Sequence, residues 1–70
     1  MTNTILLKEK IRESGLKNGY IAEVLSISRQ QLWKKVNNLV AFNQYEIEKL
    51  CYILKITSLR EKENIFFAKM

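Results

Sequence analysis

Apolar and polar residues alternate along this chain with helical spacing, and the pattern is clearest between Asn18 and Asn38. There Ile21, Ala22 and Leu25 fall at i, i+1 and i+4, Ile27 interrupts, and Leu32 and Val36 resume at i and i+4. Two stripes out of phase require a turn between them. Ser28 and Gln31 have the spacing of a capping box, in which each side chain bonds the other residue's free backbone N–H, and Ile27 and Leu32 flank the cap as a hydrophobic staple. The spacing predicts two short helices meeting at a fixed angle, with the second presented outward.

The rest of the chain reads the same way. A first helix is expected from Ile5 to Ser14, capped by Thr4 and ended by Gly15 in the left-handed conformation, with Leu7 and Ile11 inward and its charges outward. Leu16 would pack back on it. The second helix starts near Asn18 as cap, although Gly19 in its first turn weakens it by up to about 1 kcal/mol relative to alanine. Tyr20 and Val24 share a second face of that helix, placed to rest against a later one. The third spans Arg29 to Asn37; Leu32 and Val36 point inward, while Gln30, Trp33, Lys34 and Asn37 lie at i, i+3, i+4 and i+7 on the outward side. Lys35 lies to the side and reads as a solvated charge or a phosphate contact.

The fourth helix has the best-marked start, with Asn43 and Glu46 as a capping box and Phe42 and Ile47 as a staple. Its stripe of Ile47, Leu50, Cys51 and Leu54 makes it the expected centre of packing, and Lys55 sits at its negative end. Ser58 and Glu61 predict a further capping box opening a fifth helix, whose Ile65, Phe66 and Phe67 either close the core or bury against a second subunit. The predicted class is all-α, a single domain over residues 1–70.

Composition narrows the functions open to such a domain. A chain of 70 residues buries only about 60% of its unfolded surface, so stability is modest and a homodimer would help. With no proline and two glycines, helices are favoured over a sheet rich in turns. The chain has no histidine and no aspartate, so no metal cluster, no Ser-His or Cys-His pair and no glycine-rich phosphate loop is expected. An enzyme or a cofactor site is not expected. The lone Cys51 reads as core and suits a reducing cytoplasm, and apolar runs such as Leu39 to Phe42 are far too short for a membrane span or a signal peptide. The net charge of +5 makes an anionic partner plausible, the more so because no acidic residue lies between Glu23 and Glu46 while Arg29, Lys34 and Lys35 do.

These residues carry a resemblance. Ile21-Ala22-Glu23, Leu25, Ile27-Ser28-Arg29, Leu32 and Asn37 are similar to the phage Cro and C1 repressor-type helix-turn-helix family, a compact five-helix domain whose helices 2 and 3, here about residues 18–37, read DNA. The run from Ser28 to Asn37 and the ending Ile65-Phe66-Phe67-Ala68-Lys69 look most like the small early regulators of temperate phages of Gram-positive bacteria. That subgroup includes Cro-like proteins and modulator-of-repression antirepressors, which pair with the phage CI repressor in the cytoplasm of the bacterial host. If the DNA-reading role carries over, Gln30 and Gln31 would face base edges, Arg29 and Lys34 guanine or phosphate, and Asn18 a backbone phosphate. Gln31 has a rival role in the capping box, and Asn18 one as a cap.

The chain departs from the family pattern at Ser26 and Asn38, where glycine is usual, and in Leu39-Val40-Ala41-Phe42, where polar or basic residues are usual. An exposed apolar loop beside Trp33 would mark a protein interface; the alternative is that Leu39 and Val40 cover the bottom of the core. Two functions follow. The resemblance to the modulator subgroup favours an antirepressor that binds the CI-type repressor through Trp33, Leu39, Val40 and the helix-turn-helix face, with DNA binding shared or secondary. The other is a Cro-like repressor reading operator double-stranded DNA.

Overall fold

Asparagine, serine and left-handed turns punctuate the chain into five helices: α1 (Thr4–Ser14), α2 (Asn18–Val24), α3 (Arg29–Val36), α4 (Gln44–Ile53) and α5 (Leu59–Phe66). The computed structural model describes residues 1–68, and Lys69 of the C-terminal stretch quoted above lies outside them. No strand occurs among the described residues. Every helix contributes to one core, from Leu7 of α1 through Ile21 and Ala22 of α2, Leu32 and Val36 of α3, and Ile47 and Leu50 of α4, to Ile65 and Phe66 of α5. The radius of gyration, 10.8 Å, is that of a compact domain, for which about 11 Å is expected at this length.

The helix starts follow hydrogen-bond demand, since the first N–H groups of a helix lack internal partners. Asn43 and Glu46 make the full reciprocal box that opens α4. Ser28 accepts from the Gln31 N–H and Ser58 from the Glu61 N–H, but neither acidic or amide side chain returns a bond. Glu61 instead pairs with Lys10 across α1 and α5 at 3.1 Å. Two expected caps are corrected. The cap of α1 is Asn3, whose side chain accepts from the Leu6 N–H, because Thr4 turns its hydroxyl to donate to the Val36 carbonyl at 2.7 Å. Asn18 is the first residue of α2 rather than its cap; Lys17 holds the cap position and supplies no side-chain bond.

The ends of α2, α3 and α4 share one device. Ser26, Asn38 and Lys55 all have positive φ, and in each case the following residue's N–H bonds a carbonyl five residues back: Ile27 to Ala22, Leu39 to Lys34, Ile56 to Cys51. This closure normally favours glycine, because a side chain in the left-handed region crowds the backbone. Gly15 takes the same conformation at the end of α1.

Asn38 has a second task. Its amide brackets the backbone of Thr2, accepting from the Thr2 N–H at 2.9 Å and donating to the Thr2 carbonyl at 2.6 Å. Asn3 donates to the Ile65 carbonyl, and Ala68 donates to the Met1 carbonyl. The first residues are thereby clasped between the end of α3 and α5. The closest helix pairs are α2 with α3 and α1 with both α3 and α5, while the expected stripe of α4 is buried as well, with Ile47, Leu50 and Leu54 in the core and Cys51 packed against it.

Candidate nucleic-acid or protein interface

The outward side of α3 carries the residues singled out from sequence. Arg29, Gln30, Gln31 and Trp33 are exposed, Lys34 and Asn37 half-buried. Gln31 donates and accepts no side-chain hydrogen bond among the described residues, so the rivalry between its two roles resolves toward a free amide. Asn37 is less free: its amide donates to the Trp33 carbonyl at 2.8 Å and helps to end the helix.

Lys35 departs from expectation. Its ammonium is not a solvated or phosphate-facing charge but turns inward to Glu46, 2.5 Å from one carboxylate oxygen and 2.7 Å from the other, with both side chains nearly out of solvent. Sequence spacing set Lys35 to one side of α3; it did not show that the Glu46 of a capping box would lie beneath that side. The Glu46 carboxylate thus serves two partners at once, the Asn43 N–H and Lys35. The outward face loses one of its three expected cations.

Two others replace it. Asn18, Arg29, Trp33 and Asn37 share a groove of about 500 Å³ with Lys8 and Arg12 of α1, over a floor that includes Ile11, Leu32 and Val36. No acidic side chain lines it. The ion pairs among the described residues are Lys10–Glu61 and Lys35–Glu46, so Lys8, Arg12, Arg29 and Lys34 have no carboxylate partner there. Sequence reasoning treated Lys8 and Arg12 as ordinary solvated charges. Their i, i+4 spacing, which puts them on one face of α1 with Ile11 beside them, was the available signal.

Arg29 owes its place to a neighbour. A methyl group at Gly19 would lie 2.7 Å from Nη2 and 3.0 Å from Nε of Arg29, so the guanidinium lies directly over the first turn of α2, in space that any side chain at Gly19 would take. The glycine that weakens α2 therefore seats the cation.

The apolar loop is exposed. Leu39 is 63% and Val40 41% accessible, and Trp33 is 59% accessible, which removes the alternative in which the first two cover the core. Both loop residues are held to the last turn of α3, their N–H groups sharing the Lys34 carbonyl at 2.8 and 3.3 Å. Phe42 does turn inward, its ring edge-on to Phe66 with centroids 5.8 Å apart. Val40 borders a separate depression with Phe67 and Met1 rather than the groove of Trp33, so the predicted face is divided into two adjoining surfaces. Phe66 and Ile65 close the core, whereas Phe67 stays exposed; Tyr20, expected against a later helix, is exposed as well.

Cys51 is half-buried against the core, and burial pushes its thiol up from the ordinary value. At neutral pH it is a protonated apolar group rather than a nucleophile. No group of residues with metal-ligating chemistry gathers among the described residues, and no helix is long and apolar enough to cross a membrane. Compared with protein-family models, with curated proteins and with solved structures, the chain matches none.

Proposed function

We propose that this chain regulates the lysis-lysogeny switch of a temperate phage as an antirepressor, binding a CI-type repressor over the surface with which that repressor reads its operator. The observation that carries this reading is the exposure of Trp33, Leu39 and Val40 around the end of α3. Ten large apolar side chains are exposed among the described residues, three of them at or beside the end of α3, and an apolar surface that includes tryptophan is typical of protein interfaces. The likeness of the sequence to the modulator-of-repression subgroup of helix-turn-helix proteins supplies the identity of the partner. The inward turn of Lys35 favours the same reading, since it takes a charge away from any phosphate.

A Cro-like operator binder is the second reading, favoured by the unpaired Gln31 amide beside exposed Gln30 and Arg29, with Lys34 one turn on. A glutamine amide in that position can bond adenine bidentately. The two readings separate through Trp33, the single tryptophan. Its emission is followed while purified CI repressor or operator duplex is added between about 50 and 200 mM salt, a range over which phosphate-driven binding falls by orders of magnitude. The antirepressor reading expects a change with repressor that persists in salt and weakens at least tenfold in Val40→Ser, with helicity unchanged. A change with duplex alone, collapsing as salt rises, overturns it in favour of the operator binder.

A further inference from the structure

A surface that reads DNA is itself positively charged, so a repressor brought against Arg29 and Lys34 meets like charge. Apolar contacts at Trp33, Leu39 and Val40 must then outweigh a repulsion, unless the partner also brings carboxylates. The groove between α1 and α3 is lined by cations and by no acidic side chain. We propose that it holds an acidic segment of the protein partner, with carboxylates among Lys8, Arg12 and Arg29 and an apolar side chain along Trp33. This rests on the antirepressor reading for the identity of the partner, but not for the chemistry of the groove.

Three observations carry it. The cations come from two helices that converge on one concavity, with no carboxylate of this chain among the groove's lining and none paired to them among the described residues. Arg29 lays its planar guanidinium over Gly19 at the edge of the groove, a fork that can take a carboxylate bidentately. The floor is apolar, formed in part by Ile11, Leu32 and Val36. Glutamate side chains bring methylenes to lay on such a floor. Nucleic-acid phosphates bring none.

The test uses the whole chain and an acetylated peptide, Glu-Glu-Leu-Glu-Glu, read through Trp33 emission at about 50 mM salt. A saturable change is expected, reduced at least tenfold in the double variant Lys8→Ala/Arg12→Ala. The variant Lys49→Ala/Arg60→Ala, which removes equal charge outside the groove, should bind as the parent does. Equal loss in both double variants, or no change with peptide, overturns the proposal. So does displacement of the peptide by DNA duplex with the same dependence on Lys8 and Arg12, which would make the groove a phosphate contact. Peptide binding without repressor binding keeps the groove and refutes the antirepressor. Repressor binding lost in Val40→Ser but untouched in Lys8→Ala/Arg12→Ala does the reverse.

Discussion

Replacing Lys35 with methionine isolates what the ion pair beneath α3 contributes. Methionine keeps most of the aliphatic stem and removes the ammonium, so the Glu46 carboxylate loses contacts at 2.5 and 2.7 Å and retains the Asn43 N–H at 2.9 Å. The side chains of Lys35 and Glu46 are only 11% and 4% accessible, so water does not replace what is lost. Breaking a buried pair by removing one partner costs about 3–5 kcal/mol, and the surviving cap bond argues for the lower end. A domain of 70 residues has about 4–10 kcal/mol in total, so a loss of about 3 kcal/mol leaves the variant little more than half of its stability if the parent lies mid-range. At about 1 kcal/mol per molar urea, the unfolding midpoint followed by helical circular dichroism should fall by about 3 M. Lys35→Met/Glu46→Gln should recover about 2 kcal/mol, because the amide still accepts from Asn43 and no lone charge stays buried. A midpoint shift below about 0.5 M in Lys35→Met would refute the reasoning. The pair would then be solvated, and Lys35 would return to the basic face as a third cation.

Other substitutions test the turns and the groove. Asn38→Gly keeps the left-handed backbone and removes the amide that brackets Thr2 and reaches the Thr4 hydroxyl at 3.3 Å, so thermal unfolding should show a loss of about 1–3 kcal/mol, chiefly from the two bonds to Thr2, and no loss would mean that the clasp is not held in solution. Ser26→Gly relieves positive φ at an exposed position and should raise stability by about 0.5–1 kcal/mol in the same assay. Gly19→Ala should also raise it, by up to about 1 kcal/mol, but displaces the Arg29 guanidinium. Its acidic-peptide affinity should therefore fall several-fold, and a rise in both would mean that Arg29 is not seated by Gly19.

Helix positions and most of the core were legible because period and capping are local properties. Asn43 with Glu46 announced α4, and Leu32 with Val36 announced the inward side of α3, from residues within a few positions of each other. What escaped notice depended on distant partners. Nothing near Thr4 indicates that the Val36 carbonyl will be within reach, so the local sequence offers Thr4 as the cap instead of Asn3. Helical spacing sets Lys35 to the side of α3, but its direction is decided by Glu46 on another helix. The candidate face was legible for the same reason as α3 itself, and the contribution of α1 was not, since only packing brings Lys8 and Arg12 beside Arg29. The exposure of Leu39 and Val40 could not be read from hydrophobicity, which is the same for a buried loop and a bare one.

The clasp at the first residues also bears on the order in which the molecule comes together. A left-handed turn such as that at Ser26 closes over a handful of residues, whereas Thr2 and Asn38 are 36 residues apart. The longer closure costs about 2 kcal/mol more chain entropy, so it forms late, after α2 and α3 have met. Segments that join last are the first to fray. Fraying at Thr2 would release the side chain of Asn38, the residue that precedes Leu39 and Val40, so an opening at the first residues is expected to reach the apolar loop. Hydrogen exchange at the Thr2 and Leu39 amides would see them loosen together.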